Sequence, residues 1–160
     1  MPAEVAGADA LTSIFGEWPS FHDAEVLRMR LDRGGPRTRA HVEADVHVFA
    51  MTSEVDEAGF SVLRDHTLVT LRFDGIAELE LGGFNDQNAL FALELEDITD
   101  RQLDVLRWSI RFDSSHGVGA TFLCEDVSVL AAGADTPEPL PGSPTGTQSP
   151  PRPGPYEPDG

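Results

Sequence analysis

The stretch His41-Val42-Glu43-Ala44-Asp45-Val46-His47-Val48-Phe49-Ala50-Met51 alternates with a period of two. That period predicts a strand with one face in a core. Val42, Ala44, Val46, Val48 and Ala50 make the apolar face, while Glu43, Asp45, His47 and Phe49 lie on a face that is wet or partly covered. The same period recurs outward in both directions. Toward the N-terminus, Glu25–Asp32 places Leu27, Met29 and Leu31 on one side and Val26, Arg28 and Arg30 on the other, and Arg33-Gly34-Gly35-Pro36 then breaks the pattern as a hairpin connection does. Toward the C-terminus, a polar connection over Thr52–Gly59 leads to a short run at Phe60–Leu63. Strands follow at Thr67–Asp74, with Val69, Leu71 and Phe73 inward, and at Ile76–Leu81, with Leu79 and Leu81 opposed to Glu78 and Glu80.

Beyond the loop Gly82–Asn88, Ala89–Asp97 turns Phe91, Leu93 and Leu95 inward and Glu94 and Glu96 outward. Thr99–Leu103 reads as a helical turn or loop, and Val105–Phe112 carries Leu106, Trp108, Ile110 and Phe112 on one side. In the last strand, Ala120–Leu130, Phe122 and Cys124 keep one phase and Val127 and Val129 the other; a bulge near Glu125-Asp126 reconciles them. One short helix precedes the strands, capped by Asp9, with Leu11, Ile14 and Phe15 at helical spacing and Gly16 to end it. Strands at short spacing without long intervening helices predict a mainly β (α+β) protein. The expected architecture is an antiparallel six- to seven-stranded sheet or small sandwich with one short N-terminal helix.

Residues 134–160 differ in kind. They hold nine of the twelve prolines and almost no large apolar side chains. Such a segment buries too little to offset its ordering entropy, so a disordered tail is expected after a β-rich domain at 1–133. No basic region followed by an apolar run opens the sequence, and no apolar segment has spanning length. Cytoplasmic placement, without membrane contact, is the expectation. The single cysteine, Cys124, lies in an apolar strand pattern and reads as a small buried hydrophobe.

Charge is the strongest compositional signal: 28 acids against 11 bases, net −17, with every base an arginine. A field of that sign repels nucleic acid and anionic lipid and steers cationic partners inward. Solubility alone is the plainer explanation. Glu78, Glu80, Glu94 and Glu96, read as outward on neighbouring strands, form an acidic face that like-charge repulsion makes costly. A solvated face is again the plainer reading, and a surface kept for a basic partner the sharper one.

The densest chemistry lies at the helix-to-strand corner, Trp18-Pro19-Ser20-Phe21-His22-Asp23-Ala24-Glu25-Val26. His22, Asp23 and Glu25, with His47 or His66 arriving from elsewhere, have ligand types suited to zinc or iron, but no paired histidines at helical spacing and no cysteine pair accompany them. A structural corner is the better expectation. In it Trp18 and Phe21 pin the helix, Pro19 sets the bend, Ser20 closes a turn with Asp23, and His22 and Asp23 satisfy one another's polar groups. Ser114-Ser115-His116 has the composition of a nucleophile and base, yet adjacent turn residues are not expected to point at each other. Neither a Gly-x-Ser-x-Gly elbow nor a Gly-rich phosphate loop occurs. No catalytic residue, metal or cofactor is expected.

Several stretches together resemble the immunity protein 50 family of bacterial polymorphic toxin systems. They are Phe15-Gly16 with Trp18–Val26, then His47–Val55, His66–Phe73, Phe84–Asn88 and Ser114–Gly117, across about residues 11–131. The resemblance implies a non-catalytic protein that binds and neutralises a secreted toxin's effector domain, and it supplies no catalytic residues. An acidic, compact domain suits a basic effector such as a nuclease. Candidate contacts are the acids Asp56, Glu57, Asp86, Glu94 and Glu96, whereas Trp18, Pro19, Phe21, His22 and Asp23 count as signature and structural residues. The arginines from Arg28 to Arg39 mark an edge expected to face away from such a partner. The alternative is a structural or adaptor domain whose tail, through Pro150-Pro151-Arg152-Pro153, recruits a partner as an extended polyproline helix.

Overall fold

The computed structural model describes residues 5–55, 57–59 and 61–134, with 50–55, 61–65 and 134 described by backbone alone. One helix and eight strands fall among them: α1 (Asp9–Phe15), β1 (Glu25–Asp32), β2 (His41–Val55), β3 (Ser61–Asp74), β4 (Ala77–Gly82), β5 (Leu90–Asp97), β6 (Trp108–Ser114), β7 (Gly119–Cys124) and β8 (Asp126–Ala134). They make two antiparallel four-stranded sheets, β1-β2-β3-β8 and β4-β7-β6-β5. The mainly β sandwich with one short helix is therefore observed, with one strand more than the upper expectation.

The inward side chains follow the alternation. Val42, Ala44, Val46 and Val48 from β2 and Val69, Leu71 and Phe73 from β3 are buried, and they face Trp108, Ile110, Phe112, Ala120 and Phe122 of the other sheet. Phe73 joins the layers, its ring 5.8 Å from Phe112 and 5.1 Å from Phe122 in edge-on contacts. Such pairs contribute roughly 1 kcal/mol beyond the area they bury.

The phase reversal after Cys124 has a larger cause than a bulge. The chain there leaves one sheet for the other: Phe122 and Cys124 are buried on β7, and Val127 and Val129 on β8. Glu125 is the corner residue, and its N–H donates to the Asp74 carbonyl at 2.8 Å. β3 and β4 make the corresponding change of sheet at Gly75, whose φ of 67° lies in the left-handed region and whose N–H donates to the Ala40 carbonyl. Since Asp74 pairs with Asp126 and Ala77 with Leu123, one two-stranded ribbon bends to serve both sheets. Arg39 clamps the bend, with Nη1 3.0 Å from both Glu125 and Asp126. These two carboxylates, Asp126 foremost, raise the Arg39 pKa further. On the opposite side the sheets are stitched by a Glu25–Ala89 bridge.

Local readings change as well. Asp9 is not the cap: Ala8 holds that position without a side-chain bond, and Asp9 is the first helical residue, where its charge still suits the helix dipole. Gly16 closes the helix at φ 79° as expected. β2 extends through Val55, and the separate runs at 60–63 and 67–74 merge in β3, whose described range begins at Ser61. Thr99–Arg101 is a 3-10 turn, and β6 begins only at Trp108, leaving Val105 exposed.

Leu27 is 51% exposed because a register shift between Val26 and Arg28 turns it out of the pattern. Met29 and Leu31 keep the core-facing phase opposite Ala44 and Val42, but β1 is an edge strand and Leu31 remains exposed. Phe91, expected inward, is 58% exposed, since a shift between Leu90 and Ala92 rotates it outward while Leu93 stays buried.

Candidate functional site

The outer faces of the two sheets carry opposite electrostatic designs. On the first, acids and arginines from adjacent strands neutralise one another. Arg28 meets Asp45 at 3.5 Å, Arg30 meets Glu43 at 3.2 Å, and Arg72 meets both Glu43 at 3.3 Å and Asp74 at 2.9 Å. Thr70 Oγ1 donates to Asp45 at 2.8 Å, filling another acceptor position. The edge expected to be basic is thus largely cancelled.

The second sheet is left acidic. Cross-strand pairing lays Glu80, Thr121, Arg111 and Glu94 in one row and sets Leu123, Ser109 and Glu96 in the next. Asp113 shares the outward phase of Arg111, and Glu78 is turned outward by a register shift between Ala77 and Glu80, with its own φ at 55°. The face therefore carries five carboxylates and one cation of its own, Arg111, the sole arginine in the sequences of these four strands. Arg111 is committed to Glu94 at 2.7 Å, and that hydrogen bond raises its pKa. Arg101 reaches Glu96 at 3.4 Å from the rim. The small side chains of Ser109 and Thr121 leave open hollows between the acidic edges, about 330 Å³ beside Glu94 and Glu96 and about 410 Å³ beside Glu80.

Glu78 and Glu80 do not neighbour Glu94 and Glu96, because β7 and β6 stand between β4 and β5. The repulsion expected between directly paired acids is consequently avoided. Of the five candidate contacts, only Glu94 and Glu96 lie on this face. Asp86 is exposed on the β4–β5 loop, Glu57 is exposed on the connection between β2 and β3, and Asp56 lies outside the described residues.

Three of the five resembling stretches, Trp18–Val26, Phe84–Asn88 and Ser114–Gly117, meet in a second constellation at one end of the sandwich. Asn88, 3% exposed, is its hub. Its Oδ1 accepts from the N–H groups of Asn85 at 2.9 Å and Val118 at 3.1 Å, and its Nδ2 donates to the Asn85 carbonyl at 2.7 Å. Its backbone N–H donates to Glu25 Oε1 at 3.0 Å, and its carbonyl accepts from Val26. The N–H groups of Ser115 and His116 both donate to Ala89. Residues 23–26, 85–90 and 115–118 are thereby joined. Gly117, at φ 77°, fits because any Cβ there would collide with the Gln87 carbonyl. In the sequence Asn88 is one polar residue of a loop within the Phe84–Asn88 stretch; only its burial reveals its role.

The corner departs from expectation in its polar half. Phe21 and Pro19 are buried, and Trp18 packs half-buried with its ring 5.7 Å from Phe21, as a pinned corner requires. His22 and Asp23 instead face solvent, with side chains 51% and 46% exposed and Nε2 to Oδ2 at 3.5 Å. They satisfy no buried group. Ser20 Oγ accepts from the His22 N–H, one residue earlier than anticipated. Among the described residues, no group of three or more His, Cys, Asp and Glu side chains is placed to hold a metal. His47 stacks on His66, with Nε2 to Nδ1 at 3.0 Å, and Glu25 is engaged by Asn88.

Ser115 and His116 do meet, contrary to expectation, with Oγ to Nδ1 at 3.1 Å. The structure gives His116 no carboxylate partner among the described residues, and Ser114 Oγ is spent on the Gly117 carbonyl. A nucleophile–base pair also needs a group to orient the base.

Fold and site together define an acidic, two-sheet β-sandwich distinguished by an open charged face and a tightly bonded loop end. Residues 7–133 match the family model for Immunity protein 50, and the chain belongs to that family. Neither a curated protein nor a solved structure matches it. Membership makes this an immunity protein, the class that binds a cognate toxin. No helix among the described residues is long and apolar enough to cross a membrane.

Proposed function

We propose that this immunity protein neutralises its toxin by occlusion, laying the acidic outer face of the second sheet over a basic effector surface such as a nuclease active site. The observation that carries the reading is the asymmetry between the faces: one is paired to neutrality, while the other sets Glu78, Glu80, Glu94, Glu96 and Asp113 against Arg111 as the one arginine of its strands. Opposite potentials accelerate encounter and fix orientation more than they add affinity. Glu94 and Glu96 are the central contacts on this reading. Asp86, Glu57 and Asp56 contribute to the surrounding field. The role is non-enzymatic and is performed in the cytoplasm, where the effector would act on its own cell. The binding unit is 1–133, and residues 134–160 are dispensable for neutralisation.

The test is co-expression with the cognate effector domain, followed by binding kinetics at low and high salt. Rescue of growth and a complex on a sizing column are expected from residues 1–133 as from the full chain. Glu94→Lys with Glu96→Lys should slow association by about tenfold at low salt and flatten its salt dependence. Association rates indifferent to both substitutions would sink the acidic-face reading, and absence of rescue by the unaltered protein would sink neutralisation itself.

A further inference from the structure

The corner that carries the signature displays His22 and Asp23 and buries their neighbours. Phe21 and Asp23 have φ of 60° and 62°, a left-handed region that is costly for L-residues, while the Phe21 ring is 1% exposed and anchored in the core. His22 is held by its other nitrogen. A carbonyl can only accept, so the 3.0 Å contact between Nδ1 and the Phe91 oxygen makes Nδ1 the protonated nitrogen. In the neutral ring, Nε2 then presents a lone pair. Asp23 Oδ2 stands 3.5 Å from it, so two acceptors lie side by side and open to solvent. Beside them the Phe91 ring, 58% exposed, meets the imidazole edge-on at 5.5 Å.

Two converging acceptors next to an exposed aromatic complement a planar cation with several N–H donors. Guanidinium has that chemistry, and it stacks on aromatic rings more readily than a compact ammonium does. Phe91 also lies on β5 three residues before Glu94, roughly 10 Å along a strand, so the notch borders the acidic face. We infer that His22, Asp23 and Phe91 form an anchor for an arginine side chain, supplied by the toxin domain at one edge of the acidic contact. The assignment of that arginine to the toxin rests on the reading of the function given above; the anchor's affinity for guanidinium does not.

Guanidinium chloride is therefore the first probe, followed by NMR up to about 100 mM, the range so exposed a contact requires. The signals of His22 and Phe91 should move beyond those in matched sodium chloride. The response should fall about threefold in Asp23→Asn, the loss expected for an exposed ion pair. Asparagine tolerates a left-handed backbone, which keeps that variant folded. Shifts equal to the sodium chloride control, or unchanged in Asp23→Asn, would overturn the anchor.

With the cognate effector domain, Phe91→Ala combined with Asp23→Asn should weaken binding about tenfold, the effect of a modest hot spot. If that affinity is unchanged while Glu94→Lys and Glu96→Lys reduce it, the anchor fails and the acidic face stands. If guanidinium binds at the notch but the protein neither binds nor neutralises the effector, the anchor stands and the functional reading fails.

Discussion

Asn88 is a polar side chain placed where water cannot reach, and its bonds explain why the loop end holds together. Replacing it by alanine leaves the N–H groups of Asn85 and Val118 without their acceptor. Asn88→Ala should cost about 2–3 kcal/mol, read as a lowered urea midpoint with an unchanged slope. Cys124 is the opposite case, a titratable group isolated from reaction. Burial foremost, aided by Asp126, Asp74 and Glu125, pushes its thiol up to about 12. A thiol held above its usual value is protonated throughout the neutral range, and only the thiolate attacks. Labelling by a disulfide reagent at pH 8 should therefore be slow in the native protein and become fast on unfolding. Rapid labelling without loss of structure would contradict the buried placement.

Elements of this fold are fixed by phase, and the corner at Glu125 shows how strictly. Phe122 and Cys124 serve one sheet, and Val127 and Val129 serve the other, across a single intervening pair of residues. An alanine inserted after Glu125 would turn Val127 and Val129, the buried side chains of β8, away from the core. That variant should fail to fold cooperatively, whereas the same insertion after Glu57, at an exposed connection, should leave the thermal midpoint within a few degrees. Circular dichroism melts would separate the two outcomes.

The sequence pattern makes the strands, the core of β2 and β3, the helix stop at Gly16 and the buried Cys124 legible, because each depends on local period or turn chemistry. It also exposes the reversal after Cys124, but a reversal of phase has the same sequence signature whether a strand bulges or changes sheets. The outward turn of Phe91 and Leu27 depends on register shifts against a partner strand, which alternation within one strand does not encode. The separation of Glu78 and Glu80 from Glu94 and Glu96 depends on strand order, and the exposure of His22 depends on what the corner packs against. Composition gives the acidic charge; the pairing that concentrates it on one face belongs to the assembled sheets.

Across the whole molecule, strand order governs when the protein becomes competent. β8 pairs with β3 on one side, and on the other Ala6 bridges to Ser128, so the segment leading into α1 rests on the last described strand. Gly7 fits there because a Cβ would strike the Val129 carbonyl. The segment before α1 thus finds its place only once β8, more than a hundred residues further along the chain, has paired with β3. The acidic face has the same dependence, since β4 and β5 become opposite edges of one sheet only after β6 and β7 lie between them. Pairing over such sequence separation is slow to nucleate. Refolding from denaturant should therefore be slow for a domain of this size, on the order of milliseconds to seconds rather than microseconds, and a stopped-flow trace would check it.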